Sequence, residues 1–190
     1  KMADAVPRAR ALLSSNDARD LVQAANFLDM LFQTHDNNSK EYPFDSLVED
    51  FDALPAEIMI ALQRSVDQGY AKASFDLGKA EHWKEFPDYD LVVRHYLNAM
   101  SKGLLRAVSL LSYRDIPRAA ILRNKNIAPE GTDIFVYINN VRDKYLDWDV
   151  DRYEASHLAE LFRTGRPSID LAPDLIKAFK YQKQCADRRF

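Results

Sequence analysis

Residues 62–79, LQRSVDQGYAKASFDLGK, and residues 96–113, YLNAMSKGLLRAVSLLSY, carry one pattern twice. With an offset of 34 residues Gly69 falls on Gly103, Ala73 on Ala107, Leu77 on Leu111 and Ser65 on Ala99. A glycine just past a helix adopts the left-handed conformation that ends it without a Cβ clash. A small residue four positions later lets the next helix approach its partner closely. The spacing therefore predicts helix, glycine turn, helix, made twice. Gly78 lies inside the second helix of the first copy, where glycine costs roughly 1 kcal/mol relative to alanine, and so marks a second point of close approach.

Working outward, the same reading extends along the chain. NDARDLVQAANFLDMLFQT (16–34) offers Asn16 or Asp17 as a cap and places Leu21, Ala24, Ala25, Leu28, Leu31 and Phe32 on one stripe, an amphipathic helix. HDNNSKEYP (35–43) ends it. Pro55 suits the first turn of the next helix, which Gly69 stops. AKASFDLGKAEHW, a break at FPDYD, LVVRHYLNAMSK stopped by Gly103, and LLRAVSLLSYR follow. PRAAILRNKNIAPEG (117–131) is less regular, and three more helices close the chain: TDIFVYINNVRDKYL, DRYEASHLAELFRT and PDLIKAFKYQKQCADRR. Five glycines in 190 residues, with few alternating Val, Ile or Thr runs, fit about eight or nine helices and an all-α fold.

The last segment shows the pattern in its longest form: Leu158, Ala159, Phe162 and Gly165, then Asp174, Lys177, Ala178, Tyr181, Lys183 and Ala186. This resembles the Sel1-like repeat family, a relative of the tetratricopeptide repeat. Its signature is small residues, a Leu-Gly or Leu-Ala pair, an aromatic and a glycine turn, then Asp, Lys-Ala, an aromatic and a small pair. The resemblance covers residues 55–190 as about three units and implies a right-handed α-solenoid of stacked antiparallel helix pairs. Leu111 to Leu158 spans 47 residues, so the middle unit carries an insertion near 117–131. Residues 1–50 lack the signature and are read as an N-terminal helical cap.

Composition narrows the function classes. A chain 47% hydrophobic with 11% aromatics can bury a continuous core. Its formal charge of −3 draws it toward neither nucleic acid nor an anionic membrane. No apolar run approaches the roughly 20 residues of a membrane span. The opening KMADAVPRAR has no apolar stretch of a signal peptide, and Lys1 before Met2 reads as a cloning remnant or an internal cut. If a leader was removed the periplasm is the expected compartment, otherwise the cytoplasm.

Residues able to do chemistry are scattered. His35, His82, His95 and His157 have no metal-ligand spacing. Asp147, Asp149 and Asp151 imitate the start of a calcium loop, but Arg152 stands where its glycine belongs and Leu158 where its glutamate belongs; an acidic helix start is the better reading. Cys185 excludes an internal disulfide and reads as a buried structural thiol beside Ala186. There is no G-x-S-x-G, phosphate loop or dinucleotide fingerprint. No cofactor, no metal and no catalysis are expected; a hydrolase or transferase site between helices is the alternative from another class.

Stacked helix pairs hold other proteins. By resemblance, Sel1-like proteins are adaptors or scaffolds, and a compact bacterial subset serves as immunity proteins against antibacterial toxins of type VI secretion, including lipase or phospholipase effectors. The resemblance favours the immunity role, with a signalling scaffold as its alternative. In the repeat register Asp76, Lys79, Tyr113, His157 and Glu160 are the larger polar or aromatic positions expected on the concave side. Arg114, Arg118, Arg123 and Lys125 form a basic cluster suited to an anion or an acidic partner.

Overall fold

The computed structural model describes residues 2–37, 53–111, 116–146 and 152–187. Among these it is helical, with one isolated antiparallel bridge, Arg166 to Leu171, and no strand. The ten helices are α1 (Met2–Leu12), α2 (Ala18–Asn37), α3 (Leu54–Asp67), α4 (Ala71–His82), α5 (Tyr89–Ser101), α6 (Ala107–Leu111), α7 (Arg118–Arg123), α8 (Ile134–Leu146), α9 (Arg152–Thr164) and α10 (Leu175–Asp187). They form two compact units, residues 1–77 and 78–190, with the boundary inside α4.

In the first unit α2 packs against both α1 and α3. Leu21, Ala25 and Leu28 of α2 meet Leu54, Ala61 and Leu62 of α3 in one buried cluster that also takes in Ala73 and Leu77. Asp17 is the cap of α2: its Oδ1 accepts the Arg19 N–H at 2.7 Å. Pro55 stands in the first turn of α3, where its missing N–H has no intrahelical partner to lose. Ser65 Oγ donates to the Ala18 carbonyl at 2.9 Å, and Arg64 donates to the carbonyls of Leu13 and Ser15, so α3 fastens the α1–α2 turn.

The two copies of the opening pattern end their helices identically. The Gly69 N–H donates to the Val66 carbonyl and the Tyr70 N–H to Ser65; the Gly103 N–H donates to Met100 and the Leu104 N–H to Ala99. Both glycines have positive φ, +83° and +91°. This is the Schellman turn, which satisfies carbonyls that a helix end otherwise leaves unpaired. Ser65 and Ala99, aligned by the sequence, are the residues whose carbonyls close the two turns.

In the second unit α5 packs against α6 and α7, α6 against α8, and α9 against α10. The stretch 117–131 is not a plain loop: Pro117 opens the short helix α7, and the 3-10 turn Lys125–Ile127 follows. Asn124, buried, donates to the carbonyls of Asp90 and Ala120 and ties this segment to α5. The α9–α10 hairpin turns at Gly165, whose φ is +68° and where a Cβ would come within 2.7 Å of the Leu171 carbonyl oxygen. Asp174 returns the chain: its N–H donates to Phe162 at 2.7 Å and its Oδ1 caps α10 through the Lys177 N–H. Cys185 departs from its expected burial. It is half-buried and its neighbour Ala186 is exposed, because Ala178 and Tyr181, not the 185–186 pair, form the buried side of α10.

Candidate functional site

The most developed local construction joins α4 to α5. Gly78 leaves room for the Tyr96 ring: a Cβ there would stand 2.6 Å from its Cε1. Tyr96 is wholly buried and its hydroxyl lies 3.1 Å from Nδ1 of buried His82. The His82 ring stacks on Trp83, centroids 5.2 Å apart and planes at 14°, and meets Tyr89 and Tyr96 edge-on. Glu81, also buried, holds the loop that follows: Oε1 accepts the Asp88 N–H at 3.0 Å and Oε2 accepts from Lys84 Nζ. Asp88 in turn caps α5 by accepting the N–H groups of Asp90 and Leu91. Burial raises the Glu81 pKa, but the hydrogen bonds from Lys84 and Asp88 and the lysine charge outweigh it and hold the carboxyl below its ordinary range.

The outcome is a loop tied back at Asp88 that presents two large aromatics to solvent. Trp83 is 66% exposed and Phe86 84%. Large apolar side chains are also exposed at Ile60, Leu122 and Val136, so exposure alone does not mark this loop; its distinction is that Glu81 ties its backbone to Asp88 and that it carries a Trp, a residue prominent among those that anchor interfaces. In sequence, FPDYD reads only as a break. The available signal was a Trp and a Phe, three residues apart, among charges at the end of a helix.

The positions expected to face a partner lie as follows. Asp76, half-buried, pairs with Lys72 at 2.6 Å, and Lys79 is exposed. On α9, His157 is half-buried and its imidazole is held below the ordinary histidine range by burial and by Arg166, against a backbone hydrogen bond involving Ser109. Glu160 on the same helix accepts from Arg163. Tyr113 and Arg114 lie outside the described residues, as do Asp147, Asp149 and Asp151.

The basic residues of α7 are engaged within the fold. Arg118 makes a bidentate pair with Asp170, at 2.6 and 3.0 Å, donates to the Pro167 carbonyl and covers the Phe135 ring at 3.9 Å. The hydrogen bond raises the Arg118 pKa and lowers that of Asp170. Arg123 Nε donates to the Asp90 carboxylate at 2.8 Å, and Lys125 is exposed. These arginines fasten α7 to its neighbours, so their charge reaches solvent already partnered.

Among the described residues no group of three or more His, Cys, Asp or Glu side chains is gathered to hold a metal ion, and no helix is long and apolar enough to cross a membrane. No protein-family model, curated protein or solved structure matches the chain.

Proposed function

We propose that the chain is a non-catalytic protein-binding module, most specifically an immunity protein that binds and neutralises a toxic bacterial effector. The observation that carries the binding reading is the exposed pair Trp83 and Phe86 on a loop that Glu81 ties back through the Asp88 N–H, with Trp83 stacked on His82. A rigid anchor loses little freedom on docking, so more of its contact energy appears as affinity. Adjacent helix pairs, with a turn that recurs after 34 residues, support a repeat array as the scaffold. The narrower immunity reading draws on the resemblance to Sel1-like proteins alone, through the pattern from Leu158 to Ala186.

The test is to look for a secreted toxin encoded beside the gene and, where one is found, to titrate the chain with it calorimetrically and follow growth of cells making it. Binding and protected growth are expected, and Trp83→Ala with Phe86→Ala should weaken binding at least tenfold, about 1.4 kcal/mol. Charge reversal at Asp76 and Glu160 tests the other proposed face in the same assay. A toxin that neither binds nor is silenced sinks the immunity reading.

A further inference from the structure

The last helix has a finished inner face and an unfinished outer one. Inward, Tyr181 stacks on Phe162 with centroids 5.8 Å apart, Ala178 is buried, and Lys177 lies over the Phe162 ring while pairing with Asp143. Outward, Leu175, Ile176 and Phe179 are 70%, 85% and 70% exposed. Lys180, whose ammonium also lies 5.6 Å over the Tyr181 ring, and Lys183 are exposed further along the same side and continue the stripe. Ile176, Phe179, Lys180 and Lys183 follow the 3, 4, 7 spacing of one helical face. Helix α10, Leu175–Asp187, carries three lysines and one carboxylate, Asp187 at its last position, in a chain whose formal charge is −3.

We propose that this face of α10 docks an acidic amphipathic helix of another protein, its apolar residues on Leu175, Ile176 and Phe179 and its carboxylates on Lys180 and Lys183. The order of polarity favours this occupant. A helix lying in a lipid interface is apolar along its whole length with cations on its flanks. Here the apolar side chains occupy the first half of the stripe and the cations the second, so polarity changes along the axis. A partner helix with apolar anchors followed by carboxylates one or two turns on complements that order, as in helix-in-groove recognition. The inference rests on the protein-binding reading but names a different surface from the Trp83–Phe86 loop.

The probe is a fluorescent helical peptide of 18 residues, with Leu at 3, 4, 7 spacing in one half and Glu on the same face in the other, titrated into the full chain by fluorescence polarisation. Saturable binding is expected, reduced at least tenfold by Ile176→Ser with Phe179→Ser and by Lys180→Glu with Lys183→Glu. A Glu-to-Lys peptide should bind the charge-reversed chain and not the parent. Circular dichroism must show the variants as helical as the parent, which these exposed positions permit. Absent binding to the parent, or equal binding to all variants, overturns the proposal. So does binding of phosphatidylserine vesicles in place of the peptide, which assigns the face to a membrane. A concentration-dependent dimer abolished by Ile176→Ser also overturns it by assigning the face to a second copy. Toxin binding that depends on Trp83 and Phe86 while the peptide fails removes this proposal and leaves the protein-binding reading standing.

Discussion

A methyl group on Gly78 would meet two ring carbons of Tyr96 at 2.6 and 2.7 Å and the Cβ of His95 at 3.1 Å. Tyr96 is wholly buried, so the ring has nowhere to retreat. Gly78→Ala is expected to destabilise by about 1 to 3 kcal/mol through overpacking despite alanine's better helix propensity, read by urea denaturation. Ala107→Leu, at a fully buried position, should cost a similar amount. Gly103→Val should destabilise by a different route: space is open around it, but its φ of +91° resists a β-branched side chain. His95 responds to pH. It is buried, its Nδ1 has no hydrogen-bond partner among the described residues, and burial and the Arg94 charge hold its pKa below the ordinary value, against Glu81. The unfolded chain therefore takes up the proton first. The His95 contribution to stability is expected to be full above about pH 6.5 and to fall as the pH drops from there toward the folded value. His157 adds to the same slope. His95→Gln should flatten the dependence of Tm on pH between about 7 and 5, leaving the share due to His157.

Elements were legible in sequence where local chemistry specifies them. Asp17, Pro55, Gly69, Gly103 and Gly165 each stand where a start or stop was expected, since caps and left-handed turns depend on a few adjacent residues. Helix α1 is legible only as part of an N-terminal helical cap, without bounds of its own, since Pro7 lies inside it and a proline blurs a helical pattern. The short helix α7 was missed; it is held by Asn124 and Arg123 reaching back to Asp90, 34 and 33 residues away. The Glu81 clasp was hidden for the same reason, since a buried carboxylate looks like any surface glutamate until its partners are placed. Glu81→Gln is expected to cost about 1.5 to 3 kcal/mol, the scale of hydrogen bonds to a charged group, and to speed hydrogen exchange at the Asp88 amide. The α9–α10 hairpin offers a contrast within one helix. Tyr181→Ala should destabilise by about 3 to 5 kcal/mol through loss of its buried stack, while Ile176→Ser should stay within about 0.5 kcal/mol, both read by chemical denaturation.

For the whole molecule, hydrophobic periodicity and scarce glycine were enough to reach an all-α class, which the described residues bear out. Which exposed residues form a site was less legible, because periodicity separates inside from outside but does not rank the outside. Trp83, Phe86 and the outer face of α10 stand out only once exposure is known. Each compact unit has its own buried core, so local damage should be felt locally. Arg64→Ala, which removes the donors to the Leu13 and Ser15 carbonyls, is expected to raise hydrogen exchange across α1–α3 more than across α9–α10, measured by mass spectrometry.

The stack of Trp83 on His82 also makes the protein its own spectroscopic probe. The chain has two tryptophans, and the other, Trp148, lies outside the described residues. In a Trp148→Phe background all indole emission comes from a ring that is largely wetted and lies face to face with an imidazole. Emission from a wetted indole is red-shifted. A partner that covers the loop would dry the ring and shift its emission to the blue, so occupancy of this surface can be followed by fluorescence without a label.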